Sequence, residues 1–180
     1  VKGGTAINAK LRRLFSRLDI EVYEIKRATA DDAELVALFY ELGIRPALDT
    51  PPPFTTIARQ MLSAIRANIE NPDSGYSASF AFDKGKLAGV VQVQIIPSEQ
   101  WEENQHKVVV IDMFVLPEYR NQHSPATALQ KAVFDIADEV GTSSVIFTCL
   151  PDNKSVQHHY ERIGARLRHL FYELDISEGD

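Results

Sequence analysis

Residues 107–129 read KVVVIDMFVLPEYRNQHSPATAL, and this stretch decides the fold. A run of β-branched and apolar residues ends at Pro117. A polar loop containing Arg120 follows, and a helix is predicted to begin near Ser124 or Pro125. Strand, polar loop and helix N-terminus form a physical cradle for an anion. The first turn of a helix has backbone N–H groups without intrahelical partners, and the helix dipole adds partial positive charge there.

Outward from that stretch, composition narrows the classes. The chain has 180 residues, enough for one domain with a substantial core. No run of about 18 apolar residues is present, so no helical membrane span is expected. The first residues show no apolar block of the secretory kind. A single cysteine, Cys149, excludes an internal disulfide and a multi-cysteine metal site. A reducing, cytoplasmic setting is the expectation. The net charge of −6 is unevenly spread. Residues 1–18 carry Lys2, Lys10, Arg12, Arg13 and Arg17 and no acid, so the remainder holds 14 basic and 25 acidic side chains, a balance of −11. An acidic body argues against nucleic-acid binding, which needs a basic footprint, and suits a cationic amine or a basic partner.

Residues 1–18 read as a basic amphipathic arm, distinct from a domain over 19–180. Ile7, Leu11, Leu14, Phe15 and Leu18 share one helical face. The arm is expected to pack on its own domain, on a second subunit of a homo-oligomer, on a protein partner or on an acidic surface. Residues 20–27 alternate as a strand, and Thr29 with Asp32 form a capping box for a helix that Gly43 stops. Pro46 and Pro51 to Pro53 make 45–54 a stiff connection. A second amphipathic helix covers 55–70. Residues 76–82 and 87–96 form a hairpin around Asp83-Lys84-Gly85-Lys86. Residues 97–106 form a loop with Trp101 as a packing anchor. After the opening stretch and its helix, 144–150 is a strand, 153–163 a helix and 166–176 the last strand. The order is β–α–α–β–β–β–α–β–α–β, an α+β domain with a mixed, mostly antiparallel sheet flanked by helices.

This order resembles the GNAT superfamily of acyl-CoA-dependent N-acyltransferases over about residues 20–176. Three pieces carry the likeness. Residues 25–33, IKRATADDA, are similar to the family's opening strand and helix cap. Residues 114–120, FVLPEYR, resemble the V-x-P-x-x-R at the end of its fourth strand. Residues 153–165, NKSVQHHYERIGA, resemble its N-x6-Y-x3-G-[FA] segment. The resemblance implies a GNAT-like fold in which the fourth and fifth strands part to admit acetyl-CoA. It also implies an acetyl group passing from acetyl-CoA to a primary amine of a small molecule or peptide by direct attack.

Carried onto this sequence, the family's logic assigns Phe114 and Val115 at the strand end, with Arg120, Asn121, Gln122, His123, Ser124, Ala126 and Thr127 in the loop and first helical turn, to the cofactor. Asn153 joins them as helix cap and cofactor contact. Tyr160 stands where the family places the acid that protonates the CoA thiolate. Asp112 is the candidate general base; simple strand alternation sends it to the face away from Ile111. A water chain or a Glu from the 97–106 loop is the alternative base. The loop departs from the family's [RQ]-x-x-G-x-[GA] pattern: His123 replaces the first glycine and Pro125 the second. Pro125 lacks an N–H, although proline is favoured at the first helical position. Two readings therefore stand side by side. One is an N-acetyltransferase. The other is an inactive GNAT-fold structural or interaction module, a subunit of a larger assembly such as a virus particle, that has lost CoA binding through His123 and Pro125. No metal site is expected: His158 and His159 point apart on their helix, and His106 and His169 are isolated. Cys149, in an apolar strand, is expected to be buried.

Overall fold

A computed structural model describes residues 23–43, 54–98, 106–120 and 125–167. The chain divides into two compact units, Val1–Thr148 and Cys149–Asp180. The expected arm at 1–18, the proline-rich connection at 45–53, Trp101 and the closing strand beyond residue 167 lie outside the described residues.

The first unit is built on a five-stranded sheet in the order β1-β2-β3-β4-β5. Its strands are β1 (Tyr23–Arg27), β2 (Tyr76–Asp83), β3 (Lys86–Pro97), β4 (His106–Val115) and β5 (Val145–Phe147). The first four pair antiparallel and β5 joins β4 in parallel. This is the mixed, mostly antiparallel sheet that the sequence implies. Parallel pairing of β4 and β5 requires a crossover, and helix α3 (Pro125–Glu139) supplies it. Helices α1 (Ala33–Gly43) and α2 (Phe54–Glu70) lie between β1 and β2 in the chain.

Two apolar clusters hold the unit together. Ala33, Val36, Ala37 and Phe39 of α1 and Ile65 of α2 meet Ala78, Phe80 and Val90 of the sheet. Ala81, Val91, Val93, Val108 and Val110 of the sheet meet Leu129, Val133, Ile136 and Ala137 of α3. Adjacent residues of β2 and β3 thus enter opposite clusters, as a sheet covered on both faces requires. Each large side chain buried this way contributes about 1.5–3 kcal/mol. Phe39 is one of the largest fully buried side chains.

Local signals act as the sequence suggested. Asp32 Oδ2 accepts from the Thr29 N–H at 2.9 Å and from Thr29 Oγ1 at 2.8 Å. A 3-10 turn, Ala30–Asp32, precedes the α-helix proper. The Thr29 N–H, the Thr29 hydroxyl and Lys26 hold the Asp32 carboxyl below its ordinary pKa, against a smaller effect of burial. The hairpin turn places Lys84 at φ 49° and Gly85 at φ 80°, the left-handed pair that a two-residue hairpin loop demands. Among the described residues no helix is long and apolar enough to cross a membrane.

Candidate functional site

The site grows from a change of state along β4. From Val108 to Val110 the strand is paired on both sides: these residues face Val145, Ile146 and Phe147 of β5 and pair with β3 on the other side. Beyond Val110 the ladder to β5 stops, and among the described residues Asp112–Val115 pair with β3 alone. β5 itself ends at Phe147, so the ladder between the two strands ends here. The expected strand at 144–150 is consequently shorter, and Cys149 is exposed rather than buried.

A β-bulge sits at the fork. Val93 opposes Val110 while Gln92 opposes Asp112, so Ile111 is the extra, unpaired residue, 45% exposed. Thr148 Oγ1 donates to the Val110 carbonyl at 2.9 Å and lies 3.4 Å from the Ile111 carbonyl. One hydroxyl thereby satisfies backbone oxygens that would otherwise lose their partner where the ladder ends. The bulge also resets the alternation. Val108 and Val110 before it, and Met113 and Val115 after it, pack with the cluster under α3. Phe114 packs with the cluster under α1 and α2. Asp112, two residues before Phe114, takes that same face. Alternation counted through Ile111 cannot anticipate this, because the period of two is broken there.

Asp112 is half-buried. Burial holds its carboxyl above the ordinary aspartate pKa, and the Met113 N–H opposes that shift. Next to it in the sheet lies Gln92, only 4% exposed. Its Oε1 accepts from the Tyr76 hydroxyl at 2.7 Å. Burial, with Asp112 adding to it, pushes the Tyr76 phenol well above the usual tyrosine range. Neither Gln92 nor Tyr76 was singled out from sequence. The available signal was Gln92 itself, a polar residue inside the run Val90-Val91-Gln92-Val93.

The expected cofactor residues divide. The Phe114 ring is in the core, edge-on to Phe39 with centroids 5.7 Å apart. Arg120 follows a 3-10 turn, Pro117–Tyr119, and folds back. Its Nε donates to the Val115 carbonyl at 3.0 Å, and its guanidinium lies 5.1 Å from the Phe114 ring centre. Leu116 N–H bonds the Ala88 carbonyl of β3, so the alternating ladder turns Val115 toward the open edge of β4. Asn121, Gln122, His123 and Ser124 lie outside the described residues. α3 opens on Pro125, as anticipated. This proline is fully buried at the first helical position, where its N–H would have had no intrahelical partner. Ala126 and Thr127, in the same turn, are half-buried.

The second unit contains helix α4 (Lys154–Arg162). Asn153 caps it, its side chain accepting from the Val156 N–H at 3.2 Å. Gln157 Nε2 reaches back to the Pro151 carbonyl at 2.8 Å and steadies the entry loop. Gly164, at φ 93°, ends the helix. Tyr160 is half-buried on α4, its ring centre 6.1 Å from that of His159. Burial, and then Arg162, lower the His159 pKa. His158 and His106 are exposed.

Comparisons with known proteins agree with this architecture. No curated protein matches the chain in sequence. Solved structures do. A predicted acetyltransferase from Clostridium acetobutylicum with acetyl-CoA has 14% identity and a TM-score of 0.69, covering 87% of this chain and 98% of that one. AAC(6')-Iy in complex with the bisubstrate analogue CoA-S-monomethyl-acetylneamine has 18% identity and a TM-score of 0.65, covering 85% and 98%. The ribosomal-protein-alanine N-acetyltransferase of Brucella melitensis biovar Abortus 2308 has 18% identity and a TM-score of 0.62, covering 86% and 99%. These likenesses establish a shared fold. The family described as Acetyltransferase (GNAT) matches residues 36–165. That match takes in the bulged strand, its loop, the crossover helix and the Tyr160 helix, and so the chain belongs to the acetyltransferase (GNAT) family.

Proposed function

We propose that the chain is an N-acetyltransferase that moves an acetyl group from acetyl-CoA to a primary amine. The observation that carries this reading is the open half of β4. There a strand edge without a β5 partner, a β-bulge and a partly buried carboxyl coincide. An unpaired strand edge offers backbone N–H groups to a thioester arm, which is the role the family gives it. Pro125 supports binding at the helix N-terminus by pre-forming the first turn, even though it removes one donor. Arg120, Asn121, Gln122, His123, Ser124, Ala126 and Thr127 are the residues proposed to hold the pyrophosphate, with Phe114 and Val115 along the acyl arm and Asn153 as a further contact.

The chemistry is then a single displacement. The neutral amine nitrogen attacks the thioester carbonyl carbon, the new C–N bond forms, and the C–S bond breaks. Asp112 takes the proton that the nitrogen sheds. Its raised pKa brings it closer to neutrality, where a carboxylate is a better base. Tyr160 gives its phenolic proton to the departing thiolate and recovers one from solvent. The acceptor is an amine whose positive charge suits the acidic body of the chain. Residues 1–18 are proposed to act apart from the catalytic domain, in association with a second subunit or a protein partner.

The test is acetyl transfer itself, followed by mass spectrometry over a panel of polyamines, amino sugars and peptide N-termini. Tyr160→Phe is expected to lower kcat about 10²-fold or more while leaving acetyl-CoA affinity intact. Full activity in that variant contradicts the assigned acid.

A further inference from the structure

Three neighbouring strands each place one polar side chain on the sheet face that α1 and α2 cover. They are Tyr76 of β2, Gln92 of β3 and Asp112 of β4, set among Ala78, Phe80, Val90 and Phe114. The row is connected at one end: the Tyr76 hydroxyl donates to Gln92 Oε1 at 2.7 Å. That bond occupies the acceptor end of the amide and fixes which way it is turned. At the other end stand Gln92 Nε2 and Asp112 Oδ2. Both atoms are fully buried, and neither has a hydrogen-bond partner among the described residues. Gln92 and Asp112 are directly opposite in the β3–β4 register. Residues so paired share a face with Cβ atoms about 4.5–5.5 Å apart. A buried donor and a buried acceptor at that spacing are complementary, and a polar gap of this kind is one that a single water spans.

We propose that Tyr76 and Gln92 are positioning residues for acyl transfer: Tyr76 orients the Gln92 amide, and Gln92 Nε2, through one bridging water, holds Asp112 Oδ2 so that the carboxylate faces the acceptor amine. The bulge at Ile111 is what brings Asp112 into this row, because it restores Asp112 to the face of Gln92. The arrangement explains why a Val-rich central strand spends one of its most buried positions on an amide. Asp112 accepts a proton from the amine nitrogen and later releases it to solvent, while Tyr76 and Gln92 exchange none. The inference rests on Asp112 acting as the proton acceptor in the reaction proposed above. Around the carboxyl, the Met113 N–H and the Tyr76 phenol are the described groups that bear on its titration.

The experiment is a carbon-13 titration of the Asp112 carboxyl in the full chain, its signal assigned by loss in Asp112→Asn. Gln92→Met and Tyr76→Phe are compared with wild type. Removing the donor is expected to raise the Asp112 midpoint by about one unit in Gln92→Met, and by less in Tyr76→Phe. In parallel, kcat with the best acceptor among ethanolamine, spermidine, tyramine and an alanine-terminated peptide is expected to fall about 10- to 100-fold in Gln92→Met, with acetyl-CoA affinity unchanged. An Asp112 midpoint equal to wild type in both variants overturns the proposal. If Gln92→Met does not fold, Tyr76→Phe decides, since it removes only an oxygen. Midpoints that move in the variants, when the wild-type chain acetylates none of the four amines, leave the positioning of Asp112 intact and defeat the acetyl-transfer reading. Intact transfer with unmoved midpoints does the reverse.

Discussion

The two halves of β4 obey different rules. The first half has ladder partners on both sides from Val108 to Val110, and its buried valines pack under α3. The second half, from Ile111 to Val115, has lost one partner strand, carries an extra residue, and presents a carboxyl to a buried amide. Ten consecutive residues thus contain a piece of core and a piece of site. The difference teaches that a site is made here by withdrawing structure. Ending β5 at Phe147 and inserting Ile111 frees backbone groups and redirects one side chain, and Thr148 limits the cost by bonding the carbonyls left behind.

The contrast can be attacked most strongly at its boundary. Val110→Asp places an unpaired charge in the apolar cluster and is expected to cost more than about 4 kcal/mol, leaving little folded protein. The same change one residue on, Ile111→Asp, is expected to shift stability by only about 0.5 kcal/mol, since Ile111 is exposed. Urea unfolding of the pair measures both, and equal losses contradict the division of the strand.

Asp112→Asn probes the other half and acts on two observables in opposite directions. Acetyl transfer is expected to drop about 10²- to 10⁴-fold with loss of the base. Stability is expected to rise near neutral pH. Burial raises the Asp112 pKa in the folded chain. Between the unfolded value, about 3.9, and the higher folded one, the native state therefore binds more protons than the unfolded state. Wild-type stability falls as pH rises through that window. Asparagine has no such penalty, so the variant's advantage should appear above the window and vanish below it. An advantage that persists at acid pH points to a cause other than titration.

Gly89 ties the two strands together at the far end of the open half. A Cβ there would stand 2.6 Å from the Phe114 carbonyl and 3.2 Å from Leu129 Cδ1. Gly89→Ala is expected to destabilise by about 1–3 kcal/mol in the same assay, through overpacking between β3, β4 and α3. The smallest effect belongs to a region remote from the strand. Asp32→Ala removes the capping box and is expected to cost about 1 kcal/mol. Here the sign reverses. The Thr29 N–H and hydroxyl lower the Asp32 pKa in the folded chain, so the contribution is present above the unfolded value and is lost as pH falls through the folded one. Variant and wild type should converge in acid.

Much of this was legible in the residues, because local chemistry specified it. Thr29 with Asp32, Lys84-Gly85, Pro125 and Asn153 act within a few residues of themselves, and each ends or begins the element it was expected to. The mixed, mostly antiparallel sheet followed from the alternating runs and from the turns and helices between them. The site was less legible. A bulge leaves no mark in a run such as Val109-Val110-Ile111-Asp112, so simple alternation does not show that Asp112 shares a face with Phe114 and Gln92 rather than with Val110. Where β5 stops depends on β4 beside it rather than on Ser144–Leu150 alone, and Cys149 was misplaced for that reason. Gln92 and Tyr76 are distant in sequence and meet only through register. The family motif supplied Tyr160 and the loop positions, including His123, whose departure from glycine bears most directly on activity.

That departure makes one measurement decisive. Isothermal calorimetry of the full chain with acetyl-CoA tests whether the open edge of β4, residues 121–124 and the helix at Pro125 together still take the cofactor. One acetyl-CoA per chain, bound with a dissociation constant on the order of 1–100 µM, about −8 to −5.5 kcal/mol, is the predicted result. No heat of binding at millimolar acetyl-CoA contradicts it and leaves a GNAT-fold interaction module in place of an enzyme.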